Sequence, residues 1–555
     1  MRTRMMSVCL LTVLCVSTAY AGPGIFGGGD GDRYASYRVT ATIAANKRTE
    51  IARPKRRETS DRPPVERIGA ALVNNIAVTN VTLNDLNAGA NYIHITFDLS
   101  WKNSWRVSTA PNNWDAAWLF AKYRLEGSKE WQHAMLSTKD SDHAVPKGAT
   151  LKVGLTGTNG MGAFIYRSSN GTGDVNYPGV QLRWNYGGAG LQDGHNVEIA
   201  VFAIEMVYIP EGSFYVGDGA AIATFASKLI GPAGVVVTCQ KNSETFDDLQ
   251  LKGDGILIDG DDGIDMDGTE AVDNADFPTG YKAFYIMKAE LSQGQYTDFL
   301  NLLTHAQDDI RYPNMNGQYR HTITGSYAQY TTTTPARACN YLYFGDGAAY
   351  ADWAGLRPMT ELEFEKACRG PESAVAGEYA WGNTKIKTGR YTIHNDGQPN
   401  AIVTNLGAGI GNANYQGTDK LGSGPLRCGI FAASKADPTR EEAGATYYGV
   451  MEMSGNLFER CVTIGNIAGR RFAGTHGDGS LISSGEYAGN ATNSDWPGYR
   501  SDRGVHTGAG SGARGGGNGN AAFCEQVSDR KCACCGPCAN RRRGNSGWRG
   551  VRSAP

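Results

Sequence analysis

The stretch Leu356-Arg-Pro-Met-Thr-Glu-Leu-Glu-Phe-Glu-Lys-Ala-Cys-Arg-Gly370 decides how this chain is understood. Thr360 and Glu363 stand three residues apart at the head of an apolar step. That is the spacing of a capping box, in which each side chain satisfies a free backbone N–H of the first helical turn. A helix is expected from there through Cys368. Upstream, Ser292 and Gln295 repeat the spacing and open a helix carrying Tyr296, Phe299 and Leu300. Further upstream, Met206-Val-Tyr-Ile-Pro-Glu-Gly-Ser-Phe214 is a strand followed by a turn. The rest of residues 205–555 is rich in Gly, Asn and aromatics, with few long helices. That texture specifies a large α+β domain dominated by loops.

The sequence before it is organised differently. Asn91-Tyr-Ile-His-Ile-Thr-Phe-Asp-Leu99 alternates apolar and polar residues, as a half-buried strand does. Asn74–Val81, Ala116–Tyr123, Thr150–Leu155 and Val197–Ile204 give similar runs, with turn residues at Thr156–Gly162 and Asn185–Gly194. Residues 70–204 are therefore expected to form an all-β sandwich, a spacer or adhesive module without a catalytic cluster. Residues 22–69 are expected to be a flexible linker. They hold the Gly-rich Gly22–Asp32, then the basic run Arg53-Pro-Lys-Arg-Arg57 through Arg62-Pro-Pro64. No aromatics interleave those charges, which favours a solvated tether over a nucleic-acid surface. Residues 1–21 have the form of a signal peptide: an Arg-containing start, the apolar Val8–Val16, and Ala19-Tyr-Ala21. The expected location is secreted or cell envelope, where disulfides are permitted. No other run approaches the ~18 apolar residues of a membrane span.

Composition narrows the function. The 555 residues include 73 Gly and 12 Cys, with 41% hydrophobic residues and a formal net charge of −2. Wholesale disorder and collagen are excluded, and near-neutrality argues against a generic nucleic-acid binder. The charge is uneven. Residues 500–555 carry ten Lys/Arg against three Asp/Glu, a local +7, so the other 499 residues sum to −9. A basic C-terminal face would suit an acidic protein or cell-surface partner. Residues 244–276 hold twelve acids against one Lys, with Asp254, Asp259, Asp261, Asp262, Asp265 and Asp267 closely spaced. Such oxygens could ligate calcium, but the EF-hand order is not met and an exposed acidic insertion is expected.

Several motifs resemble the formylglycine-generating enzyme (sulfatase-modifying factor) family. They are Glu205–Phe214, Ala283–Glu290 with Gln295-Tyr296 and Phe299-Leu300, Leu356–Gly370, Tyr379-Ala-Trp-Gly-Asn383, Tyr448–Glu459, Arg514-Gly-Gly516 and Gly547-Trp-Arg-Gly-Val-Arg552. They occur in the family's order over residues 205–555. The resemblance implies a variant of the C-type lectin fold. It also implies calcium held by Asn456, Glu459 and the Gly455 and Leu457 carbonyls, whose oxygen donors suit Ca2+. The alternative for that segment is a turn tied by Asn456 hydrogen bonds. Trp353, Phe364, Trp381 and Phe458 are expected in the core.

The family's oxidases hold copper with a closely spaced Cys pair just after the Arg-Gly-Gly segment. Here only Cys524 falls before Ser528-Asp-Arg530, and the next is Cys532, so the pair is not matched. A copper-dependent oxidase acting on a substrate cysteine is therefore the alternative reading. The family's iron sulfoxide synthases use a His triad from an added helical domain. No such segment is evident, and the nine His are scattered. Cys532-Ala-Cys-Cys-Gly-Pro-Cys538 leaves three options open: metal ligation, disulfides, or free thiols.

The intervals Gly517–Asn520, Cys524–Gln526, Lys531–Cys538 and Asn540–Ser546 are mostly Gly, Asn, Arg, Cys and Ser. They alternate with constant-looking scaffold at Arg514-Gly-Gly, Ala521-Ala-Phe523, Val527–Arg530 and Gly547–Arg552. This resembles the variable region of diversity-generating retroelement target proteins, whose template Asn codons mutate at adenines to give Gly, Arg, Cys and Ser. The expectation is a binding protein, not an enzyme, with a variable segment over residues 500–552. Its expected contact residues are Asn518, Asn520, Cys524, Glu525, Gln526, Lys531, Cys532, Cys534, Cys535, Cys538, Asn540, Arg541, Arg542, Arg543, Asn545 and Ser546.

Overall fold

A computed structural model describes residues 36–42, 76–219, 227–232, 235–241, 244–252, 255–258, 274–419, 423–533 and 539–555. The expected signal peptide and most of the expected linker lie outside these residues, as do Asp254 and the acidic cluster from Asp259 to Asp267. The part of the linker that is described is a strand, β1 (Ser36–Thr42).

The next strands are β2 (Ala77–Asn87), β3 (Tyr92–Arg106), β4 (Asp115–Leu125), β5 (Ala149–Thr156), β6 (Asn159–Arg167), β7 (Gly171–Trp184) and β8 (Asn196–Ile209). Later ones are β9 (Phe284–Met287), β10 (Arg357–Thr360), β11 (Phe458–Val462), β12 (Ser511–Arg514) and β13 (Gly550–Ser553). One large sheet runs in the order β12-β11-β10-β13-β9-β8-β4-β6-β5, with β1 added alongside β8. Only β10 and β11 pair in parallel along this path. A second sheet, β2-β3-β7, covers the end formed by β4, β5, β6 and the first half of β8. The described strands before residue 204 pack around a hydrophobic core of their own.

The expected division at 204/205 has no counterpart in the sheet. It falls inside β8, which pairs with β4 over Asp115–Leu125 and with β9 over Met206–Ile209. The run Val-Glu-Ile-Ala-Val-Phe-Ala-Ile-Glu-Met-Val-Tyr-Ile (197–209) is apolar on both faces. Both faces are covered, so neither alternation nor a turn marks a boundary.

Three helices matter here: α1 (Gln293–Leu300), α2 (Phe344–Trp353) and α3 (Glu361–Arg369). The capping boxes at Ser292/Gln295 and Thr360/Glu363 both form. Tyr296, Phe299, Leu300, Phe344, Tyr350 and Trp353 from α1 and α2 pack against Trp118, Phe120, Phe202 and Met206 of the sheet. α3 packs on the other face, with Phe364, Ala367 and Cys368 against Val207, Ile209, Ile286 and Val551. Trp548 lies against α2 at Gly347, where a Cβ would come within 1.9 Å of the indole. Trp353, Phe364, Trp381 and Phe458 are buried, as expected. The architecture is α+β, mostly sheet, and no described helix is long and apolar enough to cross a membrane.

Candidate functional site

The C-terminal segment is held by buried ion pairs whose acidic partners come from α3. The helix places Glu361, Glu363 and Glu365 in the interior, and each meets a guanidinium. Arg530 donates to both Glu361 oxygens at 2.7 and 2.9 Å, and Thr463 Oγ1 donates to Oε1 at 2.7 Å. Arg357 forks onto Glu363 at 2.9 and 2.6 Å. Glu365 accepts from Arg514, from Arg369 at 3.1 Å and from Ser528 Oγ at 3.2 Å. Arg514 also donates to the carbonyls of Val527 at 2.9 Å and Asp529 at 3.0 Å. The loop that leaves after Arg514 and returns at Val527–Arg530 thus has both ends tied to one helix. Burial opposes the charge on Glu361, but Arg530 and Arg514 outweigh it and hold its carboxyl at about 2.

A second clamp holds the later part. Arg542 forks onto Asp346 of α2 at 2.7 Å from each nitrogen and donates to the Ile310 and Tyr312 carbonyls. Arg549 pairs with Glu459, and Arg552 donates to the Leu155 carbonyl at 2.7 Å. Arg514, Arg530, Arg549 and Arg552 are buried, and Arg542 is committed to Asp346. Half of the ten cations counted in residues 500–555 are therefore committed to the interior, four to carboxylates and Arg552 to backbone carbonyls. The expected strongly basic face is correspondingly reduced; Lys531, Arg541 and Arg543 are its exposed members in the proposed set.

The expected contact residues divide. Lys531, Asn540, Arg541 and Arg543 are exposed, and Asn520, Cys524, Gln526, Cys532 and Asn545 are half-buried. Asn545 Nδ2 donates to Asn520 Oδ1 at 2.9 Å. Asn518, Glu525 and Ser546 are buried, which corrects their expected exposure. Asn518 Nδ2 donates to the Asn456 carbonyl at 3.1 Å, and Ser546 Oγ accepts from Arg460 at 3.1 Å. Glu525 turns inward onto the backbone at Gly516–Gly517. Gly516 has φ +72°, and a Cβ there would stand 2.1 Å from the Glu525 carboxylate. Burial pushes the Glu525 carboxyl well above its ordinary range. Cys534, Cys535 and Cys538 lie outside the described residues.

Phe523, expected in the scaffold, is 46% exposed, and Lys531 Nζ lies 3.9 Å from its ring centroid. Tyr319, which sequence reasoning missed, is 52% exposed beside Gly544. No periodicity marks either: Phe523 stands in a single 3-10 turn, Ala522–Glu525, and Tyr319 in a loop. A broad rim results, with Phe523, Lys531, Cys524 and Cys532 along one segment and Arg543 and Tyr319 along the other. Cys524 and Cys532 are free thiols. Burial, then Asp529 and Glu525, pushes Cys524 up to about 12; burial and Asp529 also raise Cys532. Such thiols are poor nucleophiles and poor metal ligands until deprotonated.

The expected calcium set is used otherwise. Arg549 donates to both Glu459 oxygens, with contacts of 2.6 and 2.9 Å. Asn456, at φ +65°, accepts on Oδ1 from Leu426 N at 2.8 Å and Asn414 Nδ2 at 3.1 Å, and donates to Glu290. Leu457 N–H donates to Glu290 at 2.9 Å, and Gly455 N–H to the Gly515 carbonyl. Arg549 thus engages both Glu459 oxygens, and the turn's own neighbours engage the Asn456 side chain. The geometry is that of the tied turn. Glu290, the buried carboxylate that organises it, carried no sequence signal beyond its place after Ala289. A separate cleft of about 490 Å3, lined in part by Glu211, Asp276, Lys282 and Phe277, shares no residue with the expected set.

Three comparisons with known proteins return matches. Hercynine oxygenase from Mycolicibacterium smegmatis is 30% identical over 120 residues, which are 21% of this chain. The match spans about a fifth (20%) of that relative's length. The solved structure of Treponema denticola variable protein 1 aligns at a TM-score of 0.27 and 12% identity, covering 63% of this chain and 96% of that one. The model of the sulfatase-modifying factor enzyme 1-like domain matches residues 200–553, from within β8 to the end of β13. The chain belongs to the sulfatase-modifying factor enzyme 1-like domain family.

Proposed function

We propose that this chain is an exported ligand-binding protein, whose C-terminal segment displays recognition side chains on the family scaffold. One observation carries the reading: the segment's arginine and tryptophan anchors are buried, while a subset of its other side chains is exposed. Arg514, Ser528, Arg530, Trp548 and Arg549 face inward, while Phe523, Lys531, Arg541 and Arg543 face solvent. Exposed interval residues such as Lys531, Arg541 and Arg543 can change without touching the ion pairs that hold the segment, whereas Arg542 is one of its clamps. That arrangement suits a rigid frame bearing diversified contacts. An exposed aromatic beside a cation, with further cations along the rim, favours an acidic protein or cell-surface partner. The copper-oxidase alternative would have to use Cys524 and Cys532, which do not match the family's closely spaced pair.

The test is binding of the full chain to immobilised poly-glutamate at low and moderate salt. The triple variant K531A/R541A/R543A should lose at least tenfold in affinity, with unchanged melting temperature. Equal binding by the variant would refute the assignment of this face. Diversification has its own check in the flanking DNA. A near-identical repeat differing at adenines beside a reverse transcriptase gene is expected.

A further inference from the structure

Three buried side chains outside the recognition face meet on one side of the large sheet, where the sandwich core and the α3 core adjoin. Asp115 opens β4, Glu205 lies within β8, and Lys288 follows β9. Strand register sets them side by side. Ala117 of β4 pairs with Glu205, and Lys288 N–H donates to the Glu205 carbonyl at 2.9 Å. Alternate residues of neighbouring strands share a face, so Asp115, Glu205 and Lys288 point the same way. They are 0%, 6% and 4% exposed.

Lys288 Nζ stands 2.5 Å from Glu205 Oε1 and 4.0 Å from Asp115 Oδ2. The Trp105 ring lies over the amine, 4.7 Å from Nζ to its centroid. Donors converge on the Asp115 carboxyl. Ser104 Oγ at 2.7 Å and Trp105 N–H at 3.1 Å reach Oδ1, and Trp101 Nε1 at 2.9 Å reaches Oδ2. The cluster therefore combines an amine, a carboxyl with oxyanion donors in place, and a second carboxylate touching the amine.

We propose that Lys288 and Asp115 condense into an intramolecular isopeptide bond, with Glu205 carrying the protons. Glu205 accepts a proton from the Lys288 ammonium. The freed nitrogen lone pair attacks Cγ of the protonated Asp115 carboxyl, forming the C–N bond. Negative charge builds on Oδ1, where Ser104 and Trp105 already donate. Glu205 passes its proton to the departing hydroxyl and takes the surplus proton from nitrogen. The C–O bond breaks and one water leaves. The sum is carboxylic acid plus amine giving amide plus water, with no oxidant, reductant or cofactor.

Burial assists at two points. It pushes the Asp115 carboxyl up to about 7, against the opposing pull of Lys288, so the acid form is available near neutrality. It also keeps bulk water from the amide. Burial alone would lower Lys288, but Glu205 and Asp115 outweigh it and raise the ammonium. The amine therefore needs Glu205 as its base. Nζ stands 4.0 Å from Asp115 Oδ2, and attack requires it to approach Cγ of the same carboxyl to roughly 3 Å.

Mass spectrometry of the denatured full chain tests this. The expected mass lies one water, about 18 Da, below that of the sequence. Trypsin should fail after Lys288 and release a branched peptide joining residues 107–122 to residues 283–311. E205Q and K288R should each restore the full mass. A wild-type mass without water loss, ordinary cleavage after Lys288, or water loss mapped to other residues would overturn the bond. A complete cross-link in E205Q would overturn the role of Glu205.

Discussion

Replacing Glu361 with Gln removes one carboxylate from the interior and leaves Arg530 without its fork. In the native chain the Glu361 carboxyl is held at about 2 against an ordinary value of 4.5. A carboxyl depressed by folding contributes stability above its ordinary value and loses it as pH falls through its folded value. The gap of about 2.5 units, at 1.36 kcal/mol each, amounts to about 3 kcal/mol at pH 7. Breaking a buried ion pair costs about the same, 3–5 kcal/mol. At pH 3 the same linkage leaves about 1.4 kcal/mol, and near pH 2 very little. Glu361→Gln has no carboxyl to titrate there, so the wild-type and variant curves should converge as the solution is acidified. Urea unfolding followed by tryptophan fluorescence at pH 7, 5 and 3 measures this directly. The expected difference is about 3 kcal/mol at pH 7 and about half of that at pH 3. A difference that stays constant with pH, or is below about 0.5 kcal/mol at pH 7, would refute the claim that Glu361 is the charged anchor of the loop.

Arg542→Ala should destabilise by about 3–5 kcal/mol, because it strands the buried Asp346 carboxylate with Arg311 alone. Limited proteolysis should then cut near residues 539–546 before any site in the sandwich. Cys524, with its thiol near 12 instead of the ordinary 9, should have about a thousandfold smaller thiolate fraction at pH 8 than an unperturbed cysteine. Iodoacetamide labelling should be correspondingly slow and rise tenfold per pH unit; fast labelling at pH 8 would contradict the burial of this thiol.

The sequence made some of this legible and concealed the rest for identifiable reasons. The capping boxes at Ser292 and Thr360 are local, and both helices start where the spacing put them. The family motifs were visible as strings, but their work was not. Glu361 and Arg530 are 169 positions apart, Asp346 and Arg542 196, and Glu459 and Arg549 90. Nothing in the sequence around Arg542 distinguishes it from its exposed neighbours Arg541 and Arg543; only the fold brings Asp346 beneath it. The C-terminal charge therefore looked like surface, and half of it is interior. Asn456 and Glu459 carried the right atom types for calcium, but the competing cation, Arg549, arrives from the far end of the chain. The division expected at 204/205 falls inside β8, whose apolar run has no polar face to mark where one core ends and the next begins.

Because β8 belongs to both halves, it ties the sandwich to the scaffold of the proposed recognition face. Rotation would shear the pairings of β8 with β4 and β9 together. The rim at Phe523, Lys531 and Arg543 thus has a fixed aim relative to the N-terminal half. A partner meeting it does not have to freeze an interdomain hinge, and that orientational entropy is saved on every encounter. In this chain the strand that hides the domain boundary also serves as the mount that keeps the sight aligned.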